Sequence, residues 1–174
     1  VSGHVNGITD DGNVTVGGNF KATTDANSGA ISLGTMLVDG TVSLNTNGTG
    51  DATIVNDNGL EFTTSDVNGD LSATATAGNI TQSGNLEVAL TSSFTTSATN
   101  AMITLNTNTN NLAGGVTLST TGTTGHATID NHTNALEIDT SSVGGNLTLV
   151  SGHVNGITDD GNVTVGGNFK ATTD

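Results

Sequence analysis

Apolar and polar residues alternate along this chain in short bursts. In "NVTVGG" Val14 and Val16 flank Thr15; in "AISL" Ile31 and Leu33 flank Ser32; in "TVSL" Val42 and Leu44 flank Ser43. "LEIDT" places Leu136 and Ile138 around Glu137, and "NLTLV" places Leu147 and Leu149 around Thr148. A period of two turns one side chain inward and the next outward, which predicts strands with one buried and one wetted face. No stretch shows helical spacing. The bursts recur about every nine residues, parted by clusters of Gly, Asn, Asp and Ser, the residue types that accept turn geometry.

The bursts also repeat as phrases. Residues 1–25 return letter for letter as residues 150–174, an offset of 149 that carries Ile8 to Ile157. Such identity marks a recently copied unit, so the chain reads as an excerpt of a tandem array, one unit plus the start of the next. An older duplication lies inside the unit, with half-repeats 8–79 and 80–156. "ITDDGNVTV" at Ile8–Val16 corresponds to "ITQSGNLEV" at Ile80–Val88, and Phe20 to Phe94. Ile31, Val42, Ala52, Leu60, Val67 and Leu71 correspond to Ile103, Val116, Ala127, Leu136, Val143 and Leu147. The offset drifts from 72 to 77, so the insertions fall between bursts, as expected of loops.

Many short alternating strands suit either a string of β-sandwich domains or a solenoid. Sandwich cores are normally filled by large rings and joined by recurrent two-residue hairpin turns. This chain has 2 % aromatic residues, no Pro, Trp or Tyr, and only Gly-rich corners. A thin interior of Val, Ile, Leu and Ala fits a right-handed parallel β-solenoid, an all-β fold in which each coil buries its inner face against its neighbours. Residues 1–174 are expected to form one continuous solenoid segment. Asn and Thr at matched positions (Asn13, Asn85 and Asn162, for example) are expected to stack in ladders along the axis.

The phrases "GNITQSGNLEV", "AMITL", "GGVTLS" and "ALEIDTSSVGGNLTLVSG" resemble the haemagglutinin-type repeats of filamentous-haemagglutinin-like bacterial adhesins. The resemblance runs the length of the chain; "ITQSG" with "VGGNLTL" is its most specific pair. It departs in the first half, where Ile8–Gly12 reads "ITDDG" and "DVNGDLSATA" stands for "SVGGNLTLV". What it implies is a secreted right-handed β-helix exported through an outer-membrane partner or an autotransporter barrel.

Charge narrows the chemistry. Net charge is −14, with two cationic side chains, Lys21 and its copy Lys170, and no Arg. Nucleic-acid partners are excluded by this balance. No apolar run approaches the roughly 18 residues of a spanning helix. Val1 begins mid-phrase rather than in a leader; the lack of Cys is neutral about redox compartment, though it fits an exported chain that avoids mispaired disulfides.

No catalytic, cofactor or metal residues are expected. The acids change identity between halves: Asp10-Asp11 become Gln82-Ser83, Asp66 becomes Ser142 and Asp70 becomes Asn146. "DVNGD" (Asp66, Asn68, Asp70) and "NDNG" (Asn56, Asp57, Asn58) lack the sixth-position Gly and distal Glu of a calcium loop and read as turns. His126 and His132 share outward parity but stand about 20 Å apart along a strand, and His4 repeats as His153. Sequons at Asn13, Asn47, Asn79, Asn131, Asn146 and Asn162 are no more than this composition yields by chance. Thr74 with Thr76, and Thr107 with Thr109, do not recur in every burst, as a flat ice-binding ladder would need.

Diffuse cation uptake is different. Residues 1–149 hold 13 acids and one Lys. At about 4.8 Å per coil and about six to eight coils, the unit is about 30 to 38 Å long, so net charges lie about 3 Å apart along the axis. That is within the Debye length of about 8 Å, and weak calcium uptake follows.

Inward Val, Ile, Leu and corner Gly persist between copies while outward chemistry varies. This points to a structural repeat of a secreted bacterial cell-surface adhesin or extracellular filament, a rigid stalk that is not an enzyme. Its partners are copies of itself along the axis, since open ends invite stacking. The alternative is a β-helical module binding glycans or other surfaces; a polysaccharide-active enzyme is the weaker third.

Overall fold

The computed structural model describes residues 6–25, 28–107 and 109–173. Every element among them is a strand, and every strand pairing is parallel. The chain winds through eight courses: residues 8–23, 31–45, 52–67, 71–88, 92–112, 116–130, 136–151 and 157–173. Each course contributes first to one 11-stranded sheet and then to a second 11-stranded sheet, and lies on the course before it. The fold is a β-solenoid of about seven turns.

Alternation is realised as read. In Ala52–Asn56, Leu71–Ala75, Val116–Thr120 and Leu147–Ser151 every second residue is buried. The inward residues of both sheets meet in one continuous core of aliphatic side chains. Phe62 of the second sheet and Phe94 of the first meet edge to face inside it, with centroids 6.5 Å apart. Burying each such Val, Leu or Ile is worth about 1.5 to 3 kcal/mol.

The seven pairing steps explain the repeat lengths. A column through Ile8 climbs by Ile31, Ala52, Leu71, Ser92, Val116 and Ile138 to Asp159. The exact repeat would have ended that column at Ile157. The unit of 149 residues is thus seven turns with a slip of two residues. An even slip preserves the inward or outward parity of every side chain, whereas an odd slip would turn the core outward.

The half-repeat is a different operation. Ile8 lies in the first sheet and its counterpart Ile80 in the second; Phe20 lies in the second and Phe94 in the first. The same exchange holds for Ile31 and Ile103, and for Leu60 and Leu136. Half a unit is therefore three and a half turns, and the solenoid has an approximate two-fold screw along its axis.

One expectation is corrected here. Asn13, Asn85 and Asn162 form no ladder: Asn85 precedes a second-sheet strand, while Asn13 and Asn162 precede first-sheet strands seven steps apart. The screw operation separates sequence-equivalent positions instead of stacking them.

Candidate functional site: the stacking edge and its polar brackets

Polar side chains gather at the edge where one course meets the next. Three kinds of polar bracket close it, and most come in pairs across the two halves.

Asn56 and Asn131 are fully buried counterparts. The Asn56 carbonyl accepts the Val38 N–H at 2.8 Å, and its amide donates to the carbonyls of Val38 at 3.1 Å and Gly59 at 2.6 Å. Asn131 treats Leu112 and Ala135 in the same way, at 2.8, 3.0 and 2.6 Å. Each bracket satisfies backbone groups of the course beneath where its strand ends, groups that would otherwise be buried unpaired.

Asp10 and Gln82 occupy matched positions. The strand Ile31–Val38 shifts register between Leu33 and Met36, a bulge that frees backbone donors. The Asp10 carboxylate accepts the N–H groups of Gly34 and Thr35 at 3.1 and 2.8 Å and the Thr35 hydroxyl at 2.9 Å. These bonds, the Gly34 N–H foremost, hold its carboxyl below the usual carboxylate range. Gln82 donates to Thr107 Oγ1 at 2.7 Å and exchanges two hydrogen bonds with buried Asn110.

Corners carry the third kind. Asp51 accepts the Asp70 N–H, and Asp70 in turn accepts the Thr91 N–H, both at 2.9 Å. At the opposite corner His126 Nδ1 accepts the Asn146 N–H at 2.8 Å, and Asn146 accepts the Asn168 N–H at 2.8 Å. A Cβ on Gly69 would collide with the Asp51 carboxylate, and one on Gly145 with the His126 ring. Corner glycine therefore makes room for the bracket from the course below.

This geometry places the residues singled out in sequence. Asp70 braces a corner, Asn68 donates to the Thr46 carbonyl at 2.7 Å, and Asn58 takes the N–H of Gly59 at 2.9 Å. His126 is half-buried and bonded through Nδ1, whereas His132 is exposed; His4 lies outside the described residues. Of the sequon asparagines, Asn131 is buried and fully engaged, while Asn13, Asn47 and Asn162 are exposed.

Stacking creates two groupings whose members the sequence does not single out. Carboxylate oxygens of Glu137, Asp139 and Asp160 lie within 4.8 Å of one another, across the join between the first unit and the copied course. Asp66 and Glu87 are also direct cross-strand neighbours. The second grouping is hydroxyl columns. Thr81, Thr104, Thr128 and Thr148 stack in register on the second sheet. Ser32, Thr53, Ser72, Ser93 and Thr117 do so on the first. Thr-x-Thr spacing does not point to these columns, because each course contributes one member and neighbours along a column are about twenty residues apart in sequence.

Parallel courses, an aliphatic core and polar brackets define a β-solenoid repeat protein. Residues 49–119 and 124–174 each match the model of a family described as repeats of unknown function (DUF5649), and the chain belongs to that family. The two matches begin 75 residues apart, within the drift of the half-repeat offset. No curated protein and no solved structure matches the chain.

Proposed function

We propose that this chain is a structural repeat: a rigid, non-catalytic spacer of an extracellular filament or cell-surface adhesin. The observation that carries the reading is the join between unit and copy. Course eight is laid on course seven by three parallel strand pairings, Leu136 to Ile157, Ser141 to Val163 and Leu147 to Phe169 onward, with the core running through. Units joined this way lengthen a rod without a hinge. The resemblance to filamentous-haemagglutinin-like repeats supports placement outside the cell.

Imaging of tandem proteins with two, three and four units tests it. Seven steps of about 4.8 Å should add about 34 Å of straight contour per unit. Beads joined by bends would overturn the spacer reading.

The hydroxyl columns favour one second reading, a face that binds hydroxyl-rich polymers such as glycans. Retention on immobilised polysaccharide, lost when Thr104 and Thr128 become Lys, would support it; unchanged elution would end it.

A further inference from the structure

Five Asn-Gly pairs occur in the chain, beginning at Asn6, Asn47, Asn58, Asn68 and Asn155. Glycine has no Cβ, so the nitrogen that follows such an asparagine is open to its side chain. Three of the pairs lie inside the stack, between courses two and four, and the structure holds each differently.

Asn58 is exposed and folded back over the next peptide, where its side-chain carbonyl accepts the Gly59 N–H at 2.9 Å. Its amide donates to Asp39 Oδ1 at 3.3 Å, which keeps the carbonyl turned toward Gly59. Cγ is bonded to the oxygen that touches the glycine nitrogen. The two atoms that would close a five-membered ring are therefore neighbours before any reaction. Asn68 is turned away. Its amide donates to the Thr46 carbonyl at 2.7 Å and its N–H to Thr46 Oγ1 at 2.9 Å, and Gly69 is buried. Asn47 is exposed at a turn closed by the Gly50 N–H on its carbonyl at 3.1 Å. Among the described residues no hydrogen bond draws the Asn47 side chain to Gly48.

We propose that Asn58 is a site of spontaneous modification, its amide converted to a carboxylate through attack by the Gly59 nitrogen. That nitrogen bonds to Cγ, its proton passes through solvent to the side-chain nitrogen, and the latter leaves as ammonia. Water then opens the cyclic imide at either carbonyl, which leaves aspartate or isoaspartate at position 58. Water is the co-reactant, and nothing is oxidised or reduced.

The product bears on the stack. Isoaspartate inserts a methylene into the main chain ahead of Gly59, whose carbonyl accepts the buried Asn56 amide at 2.6 Å. Either product sets a carboxylate against Asp39 where an amide had donated. The reaction thus loosens the Asn56 bracket. At the matched corner of the other half Asn134 precedes Ala135, whose carbonyl serves Asn131 at 2.6 Å, and the Asn134 amide donates to the Asn110 carbonyl at 2.9 Å. Of the two matched corners, only the first carries the labile pair.

The full chain, incubated in mildly alkaline buffer, digested at intervals and mapped by mass spectrometry, tests this. Aspartate and isoaspartate should accumulate at position 58 several-fold faster than at Asn47 and Asn68, with Asn134 unchanged. In denaturant, where only the Asn-Gly sequence remains, the three rates should converge. Equal rates in the folded chain, or Asn47 or Asn68 leading, overturn the proposal. Gly59→Ala installs the residue of the other half and should slow the reaction at position 58 several-fold. A Cβ there would come within 3.2 Å of the Asn79 carbonyl oxygen, so a second variant, Asn58→Gln, leaves the backbone untouched. Asn58→Gln should hold its melting temperature through the incubation while that of the parent falls. A parent that converts at position 58 with no fall shows that the Asn56 bracket is not loosened and overturns that consequence.

Discussion

Gln82 and Asn110 grip each other through two amide hydrogen bonds, each 2.8 Å long, across one step of the solenoid. Asn110 is fully buried, and its carbonyl also accepts the Leu86 N–H at 3.2 Å. In the other half Asp10 does the equivalent work with a carboxylate, because there the irregular strand offers it only donors. The "ITQSG" and "ITDDG" phrases thus place different polar groups at matched positions, an amide that grips Asn110 and a carboxylate that grips Gly34 and Thr35.

Replacing Gln82 with Ala should destabilise the chain by about 1 to 3 kcal/mol, the penalty for leaving a buried polar group without its partner. Denaturant unfolding of Gln82→Ala, Asn110→Ala and the double variant forms the check. The double variant should lose less than the sum of the single losses. Additive losses would show that the pair is not coupled.

Acid should weaken the first half of the stack through Asp10. Its folded carboxyl lies below the ordinary value of 3.8, held there by the Gly34 and Thr35 N–H groups. The sign follows: a depressed carboxyl contributes stability above its unfolded value and loses it as pH falls through the folded one. Unfolding midpoints measured between about pH 5 and pH 3 should fall less steeply for Asp10→Asn than for the parent. Parallel curves would remove Asp10 from the account.

Ser92 points into the core between Leu71 and Val116, and its buried hydroxyl has no hydrogen-bond partner. Ser92→Ala should therefore stabilise the protein by about 1 kcal/mol, since the burial penalty of a hydroxyl disappears. A higher melting temperature is the readout, and a lower one would mean that the hydroxyl is satisfied in solution.

Calcium should raise the melting temperature modestly at low ionic strength. The carboxylates of Glu137, Asp139 and Asp160 crowd one spot on a chain of net charge −14, and screening relieves their repulsion. Asp160→Asn should raise the melting temperature without calcium and shrink the calcium-induced rise. A chain indifferent to calcium would show that the charges are already relaxed by solvent.

The sequence by itself determined the strands, their inward faces and the solenoid class. Those properties are local: period-two alternation, an aliphatic repertoire and turn-forming corners each act within a few residues of chain. The repeat of 149 was likewise plain, because identity is legible without geometry.

Tertiary structure decided everything that depends on register. It showed that half a unit is three and a half turns, that seven turns slip by two residues, and that Asn56 and Asn131 rather than Asn13 and Asn85 are the buried brackets. It brought Asp160 to Glu137 and made columns of serine and threonine from residues about twenty apart. The physical reason is loop length. Course spacing varies from 19 residues between Ala52 and Leu71 to 24 between Ser92 and Val116, so which side chains become neighbours along the axis is set by how each corner closes, not by the alternation that makes the strands.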